Sequence, residues 1–250
     1  DRSTDLSGLF RGLRVVMKIL LKARNFIRSR VVINILLLLI LVGLATSVLW
    51  NARFPYTHDG ENHLVRLVNY AAAIRDGQLP PRFAPYLLNG YGFPVFNYNY
   101  PLANILGVPF SLLGINPEIT FRAEVVVALT LGAFSLQWLI RQTSWKKSQW
   151  FAVVLYLFAP YLTSAIWFRG NIGEIWAYAL APVLGAVLWK AKLNSNWLWQ
   201  LAAILTITAV LLAHNLLGLM IAGLWLAISL VWGGWRKWRS WLLVWGLGIA

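Results

Sequence analysis

Apolar runs of about membrane-span length alternate with short polar segments along this chain, and they predict its architecture. A helix needs about 17–25 mostly apolar residues to cross a bilayer. The runs that we expect to span are 31–50, 122–140, 150–167, 175–189, 197–213 and 216–232, with a seventh beginning at Trp241. The pattern predicts an all-α polytopic transmembrane helical bundle that occupies residues 31–250.

The composition narrows the class of protein. Only 12% of the residues are charged and 59% are hydrophobic, whereas a soluble domain carries about 25% charged residues. These values exclude a soluble enzyme and a disordered chain. The chain contains no cysteine, which excludes disulfides and thiol chemistry. Because the chain begins at Asp1 and ends inside an apolar run, we expect it to be a piece of a longer protein.

Residues 1–30 form a basic N-terminal segment that holds eight of the 22 lysines and arginines. Apolar residues recur at helical spacing between the charges, so the segment is predicted to be a basic helix on an anionic membrane surface. A nucleic-acid-binding arm is the alternative interpretation. We expect membrane lipids as the partner, and no nucleic acid.

The topology depends on whether segment 101–115, which Pro109 interrupts, crosses the membrane. If it does not, 16 of the 22 Lys and Arg residues lie on the cytoplasmic side and six outside; if it does, the numbers become 10 and 12. The positive-inside rule favours the first arrangement. The protein is therefore predicted to lie in the cell membrane with a cytoplasmic N-terminus. Segment 101–115 becomes a juxtamembrane or re-entrant helix within a long external loop, 51–121.

The external side collects the acidic residues. After Asp5, every carboxylate is predicted to lie outside or at the outer membrane boundary, namely Asp59, Glu61, Asp76, Glu118, Glu124 and Glu174. Asp59, Glu61, His63 and Arg66 are crowded at the start of the long loop. Asp59 and Glu61 are candidate oxygen ligands for a divalent cation such as Mg²⁺ or Mn²⁺, or a carboxylate could act as a general base. The alternative is that Asp59 is only a helix N-cap.

Four further polar residues, at three places along the chain, are candidates for the site. Arg82 lies among prolines and could hold a phosphate or serve as a plain headgroup anchor. Arg169 and Glu174 share a short external turn and could belong to the site or form only a salt bridge. His214 ends a predicted span and could bind substrate or be a polar terminus.

Several short blocks resemble one family of bacterial integral membrane proteins, often labelled 6-pyruvoyl-tetrahydropterin synthase-related. The blocks keep their order between about residues 50 and 218. They contain His58, Asp59, His63, Arg66, Pro80, Arg82, Gly90, Gly92, Tyr100, Pro101, Ala159, Pro160, Tyr161, Arg169, Gly170, Glu174, His214 and Asn215. A soluble pterin synthase needs a zinc-binding histidine cluster, so the label is not taken as an activity.

That family in turn resembles the GT-C glycosyltransferases, which take a sugar from a polyprenyl-phosphate or pyrophosphate donor on the extracytoplasmic side. The resemblance implies that Asp59 is the catalytic carboxylate of the first loop and Glu174 a second acidic position. It implies His63, Arg66, Arg82, Arg169 and His214 as candidates for binding the substrate or its lipid phosphate. The expected partners are a lipid-linked sugar donor, membrane lipids and an acceptor that the sequence does not identify.

Two functions other than a glycosyltransferase are alternatives for this sequence. A transporter or flippase of lipid-linked sugars would also need a polar pocket, but it would more often carry ionisable residues near the midplane and broken helices. A non-catalytic membrane subunit is the third alternative. The nearly uncharged spans and the crowded external carboxylates favour the glycosyltransferase.

Overall fold

The computed structural model describes residues 30–51, 53–193, 196–233 and 238–249. The chain divides into two compact units, 1–41 and 42–250. In the first unit the description starts at Arg30, where helix α1 (Arg30–Ala45) begins. The basic segment predicted at 1–30 therefore lies outside the described residues, except for Arg30.

The regular secondary structure of the second unit is helical in its described ranges, apart from one isolated β-bridge between Ala84 and Phe93, as the all-α prediction requires. Its helices are α2 (Gly60–Arg75), α3 (Leu102–Leu112), α4 (Pro117–Arg141), α5 (Gln149–Leu157), α6 (Pro160–Ser164), α7 (Ile172–Leu193), α8 (Trp197–Ala213), α9 (Asn215–Gly233) and α10 (Trp238–Ile249). Short 3-10 segments lie at Ser47–Trp50, Val95–Asn97 and Lys146–Ser148, and a π-helical turn lies at Ala165–Arg169.

Among the residues that the structure describes, three helical segments are long and apolar enough to cross a membrane: Pro117–Arg141, Lys146–Arg169 and Ile172–Leu193. The segments Val31–Ala45, Trp197–Ala213 and Asn215–Val231 are apolar but shorter. Transmembrane helices are thus confirmed in part, whereas the prediction of six spans and a seventh is not. Segment 101–115 forms the 11-residue helix α3, which is far too short to span.

The middle span is interrupted, and its sequence explains where. Helix α5 ends at Leu157, and Pro160 begins α6. Proline lacks an N–H group and its ring clashes with a preceding helical turn, so it starts helices more easily than it continues them. The span then closes in the π-helical turn, after which Gly170 adopts a left-handed φ of 61°.

Helix α7 lies at the centre of the unit and packs against α4, α8 and α9. Glu124 meets Trp176 near the N-terminal ends of α4 and α7, and Leu139 meets Gly185 nearer their C-terminal ends. The two helices are therefore parallel, and the interrupted span between them returns the chain.

The two ends of these helices differ in their charged residues. The end at which α4 and α7 begin carries Glu124 and Glu174. The opposite end, here called the basic end, carries Arg141, Lys146, Lys147, Lys190 and Lys192. The cytoplasmic placement of the basic end stays a prediction from the positive-inside rule.

Candidate functional site

The start of the long loop docks against the turn that closes the interrupted span. The amide of His58 donates to the carbonyl of Phe168 at 2.9 Å, and the amide of Asp59 donates to that of Arg169 at 2.8 Å. Gly170 makes this approach possible, because a Cβ atom there would lie against the Thr57 side chain and 3.0 Å from Cα of Gly60. The structure thus joins the two predicted external loops.

The carboxylate of Asp59 is not used as a helix cap. Asp59 occupies the N-cap position of α2, but its side chain makes no capping hydrogen bond. Instead the Thr57 hydroxyl accepts the hydrogen bond from the Gly60 amide at 3.1 Å. The Asp59 side chain is 31% exposed and lies 3.5 Å from Nδ1 of His58. Asp59 thus stands at the N-cap position, but its side chain does not cap the helix. Its carboxylate is accessible.

Glu174, in contrast, is almost fully enclosed and heavily hydrogen-bonded. Its side chain is 2% exposed and forms an ion pair with Arg169. Tyr161 donates to its other oxygen at 2.8 Å, and Nδ2 of Asn171 donates to the oxygen that faces Arg169 at 3.3 Å. Nε2 of His214 lies 3.6 Å from that oxygen. The salt bridge predicted for this turn is present, within a larger network.

Asn171 extends this network to the long loop. Its side-chain oxygen accepts hydrogen bonds from the Tyr100 hydroxyl at 2.9 Å and from the Glu174 amide at 3.2 Å. Burial raises the pKa of Tyr100, so the phenol keeps the proton that it donates. A Cβ atom at Gly173 would collide with the Tyr100 ring, so glycine is needed for this contact.

Two histidines flank the Tyr100 ring. The centroid of the Tyr100 ring lies 6.1 Å from the ring centroid of His63 and 4.7 Å from the ring centroid of His214. Burial, with a smaller contribution from Arg66, lowers the pKa of His63 to about 4. Burial also lowers the pKa of His214, where Arg169 adds to the shift and Glu174 opposes it. Both rings are therefore neutral near pH 7.

The other predicted site residues lie in different settings. Arg66 lies near enough to His63 and Tyr100 to influence the pKa of both groups. Arg82 is exposed, and its guanidinium donates to Asn97 at 3.2 Å. No contact described for Arg82 joins it to Asp59 or Glu174. Glu61 is exposed on the first turn of α2.

The residues present do not form an evident metal cage. In the part of the chain that the structure describes, no group of three or more His, Asp or Glu side chains has the arrangement needed to hold an ion. Asp59 and Glu61 alone offer fewer ligands than a Ca²⁺ site usually supplies, whereas Mg²⁺ is often held by one or two carboxylates together with substrate phosphates.

An apolar cavity of about 440 Å³ adjoins the Glu174 network. Tyr161, whose hydroxyl binds Glu174, also lines this cavity beside Tyr156 and Tyr178. Tyr156 and Tyr178 are stacked, with 4.7 Å between their ring centroids. Leu139, Leu217 and Trp225 line other parts of the wall. The cavity therefore joins an apolar interior to a charged and hydrogen-bonded edge.

Sequence reasoning assigned no role to three residues that organise this site: Tyr100, Tyr161 and Asn171. Tyr100 and Tyr161 lie in the sequence blocks that resemble the family, and this position is the sequence feature that could have marked them as site residues. Glu124 was placed only at a span boundary. The structure buries it at the α4–α7 contact, where Nε1 of Trp176 donates to it at 2.8 Å.

The profile of a family described as the 6-pyruvoyl-tetrahydropterin synthase related domain, a membrane protein, matches residues 96–249. The chain belongs to this family. The match includes Tyr100, Arg169, Glu174 and His214 but begins after Asp59 and His63. No curated protein and no solved structure matches the chain. Together with the three long apolar helices, the family identifies a membrane protein.

Proposed function

We propose that this family member is a membrane glycosyltransferase that moves a sugar from a polyprenyl-phosphate-linked donor to an extracytoplasmic acceptor. The observation that carries the proposal is the junction at Tyr161. Its ring lines an apolar cavity of about 440 Å³ and its hydroxyl binds the carboxylate of the Arg169–Glu174 pair. A donor with an apolar chain and a phosphate needs these two environments side by side.

In the proposed reaction, Asp59 accepts the proton of an acceptor hydroxyl. The acceptor oxygen then forms a bond to the anomeric carbon of the sugar, and the bond from that carbon to the phosphate oxygen breaks. The polyprenyl phosphate leaves with the bonding electron pair. The accessible carboxylate of Asp59, which caps no helix, suits the role of a general base.

Arg169 is the candidate for offsetting charge on the departing phosphate. Its side chain is 46% exposed, whereas the Glu174 carboxylate that it contacts is 2% exposed. Fixed, preoriented charges of this kind stabilise a transition state more than mobile ones do. Glu174 already accepts hydrogen bonds from Tyr161 and Asn171. We therefore assign Glu174 to positioning Arg169 rather than to accepting a proton.

His63 supplies a neutral contact in this proposal. Its Nε2 atom is buried and makes no hydrogen bond of standard geometry with the described residues, and the Asn171 side chain is close enough to the ring to raise its pKa slightly. A buried polar atom without a partner is costly and is usually satisfied by a ligand or by water. We assign this atom to a sugar or phosphate oxygen of the donor.

One structural feature favours transport of a lipid-linked sugar as the second candidate. The span Lys146–Arg169 is interrupted between Leu157 and Pro160, and broken helices are common in transporters. The charged side chains of this span, those of Lys146, Lys147 and Arg169, nevertheless lie at its ends. This distribution supports chemistry at the membrane surface over passage through the bilayer.

The test is to delete the full-length protein from its host and measure lipid-linked sugars by mass spectrometry. We expect one polyprenyl-linked sugar to accumulate, and we expect the wild-type protein, but not its Asp59→Asn variant, to reverse the accumulation. An unchanged lipid-linked pool would overturn the proposal. An accumulated pool that stays on the inner leaflet, and that Asp59→Asn restores as well as wild type, would instead support transport.

A further inference from the structure

A second cavity, of about 210 Å³, lies between α4, α7 and α8. Phe134 and Trp138 of α4, Val187 and Lys190 of α7, and Trp199 of α8 line it. Lys190 follows Glu174 by sixteen positions on the same helix, and a rise of 1.5 Å per residue places the two about 24 Å apart. The cavity therefore lies near the basic end and is separate from the candidate site.

The charge at this cavity comes from Lys190. Its Nζ lies 4.8 Å from the ring centroid of Trp138 and 5.8 Å from that of Trp199. Two indole faces thus hold the ammonium group by cation–π attraction. In the described ranges no carboxylate lies within ion-pair distance of Lys190. The ammonium is positioned but not neutralised.

We propose that this cavity binds an anionic phospholipid, with a segment of one acyl chain against Phe134 and Val187 and the phosphate at Lys190. The apolar wall is complementary to the chain, and the unneutralised ammonium is complementary to the phosphate. Tryptophan is enriched at the headgroup level of membranes, and lysine beside an anionic leaflet contributes about 1 kcal/mol to binding. The occupant is a resident lipid of the leaflet at the basic end rather than the sugar donor.

The experiment uses the full-length protein in detergent, with phosphatidylglycerol and phosphatidylcholine of identical chains as probes and native mass spectrometry as the readout. We expect the wild-type protein to retain phosphatidylglycerol preferentially. Lys190→Gln should reduce that preference about five-fold, the equivalent of about 1 kcal/mol. Lys147→Gln is the matched control, because Lys147 is an exposed lysine of the basic end that does not line the cavity.

A third variant tests the acyl-chain part. Ala186 also lines the cavity, and Ala186→Phe should fill it and reduce retention of both lipids while Lys190 stays in place. A thermal melt of each variant shows whether the fold is retained. Equal losses in Lys190→Gln and Lys147→Gln, or no loss in either, would refute the headgroup site. Undiminished retention in a folded Ala186→Phe protein would refute the chain site.

Discussion

The amide of Asp59 donates a hydrogen bond to the carbonyl of Arg169 at 2.8 Å, although the two residues belong to different loops. This bond places a candidate base beside the residue that pairs with Glu174. The docked loops therefore bring the backbone of Asp59 next to the Arg169–Glu174 pair.

Gly170→Ala should loosen this docking. A non-glycine residue in the left-handed region costs about 1–2 kcal/mol, and the new Cβ would also press against Thr57. Gly77→Ala is the matched control, because Gly77 has a similar φ of 83° but open space around it. We expect both variants to lower the melting temperature and only Gly170→Ala to lower activity. Equal activity in the two variants would contradict a role for the docked geometry.

Asp59→Asn should abolish transfer while the protein stays folded. The substitution keeps the shape of the side chain but removes the proton acceptor, and loss of a general base lowers rates by about 10²–10⁴. Asp76→Asn is the control, since Asp76 is an exposed carboxylate of the same long loop that has no proposed role in the site. The measurement is sugar transfer by purified full-length protein. Similar rate losses in both variants would argue for a general charge effect instead.

Glu174→Gln should reduce activity less than Asp59→Asn but reduce stability more. It breaks a buried contact with Arg169 and weakens the hydrogen bond from Tyr161; removing one partner of a hydrogen-bonded charge costs about 1–3 kcal/mol. Glu118→Gln is the matched control, because its pair with Arg122 is half exposed, 3.6 Å long and worth little. Thermal melting of the purified variants measures the difference. If both variants melt alike, Glu174 does not hold the site together.

The sequence predicted the helical architecture from local signals, whereas a shared site for Asp59 and Glu174 was implied only by the family resemblance. Apolar runs indicate helices of span length, and the positions of lysines and arginines indicate which helix ends lie on the same side of the membrane. The crowding of Asp59, His63 and Arg66 likewise marked the start of α2. These signals are read from neighbouring residues and need no tertiary information.

The contacts of Tyr100 and Asn171 could not be predicted in the same way. An isolated tyrosine in an aromatic loop has many possible partners, and the hydrogen bond to Asn171 depends on how that loop packs near α7. The alternative that Asp59 caps α2 depends on packing in the same way: Asp59 occupies the N-cap position without a side-chain hydrogen bond, while the Thr57 hydroxyl accepts from the Gly60 amide. Such choices are decided by packing rather than by sequence spacing.

The orientation of the protein can be tested with single cysteines, since the chain contains none. Tyr86 and Ser144 are both exposed, the first in the long loop and the second beside the basic end. If the basic end is cytoplasmic, an impermeant thiol reagent applied to intact cells should label Tyr86→Cys and not Ser144→Cys. Permeabilised cells should label both. Labelling of Ser144→Cys from outside would reverse the predicted topology.

Protonation of His63 should make the protein less stable in acid. Its pKa is lowered to about 4 in the folded protein from an ordinary value of 6.5, so the unfolded chain binds more protons between these values. Stability is therefore fully present above pH 6.5 and is lost as the pH falls toward 4, by up to about 3 kcal/mol. His63→Gln, which cannot titrate, should flatten the fall of the melting temperature between pH 6.5 and 4, leaving the contribution of His214. His58→Gln is the matched control, because the His58 side chain is 85% exposed whereas that of His63 is buried. A wild-type slope in His63→Gln would show that another group controls acid stability.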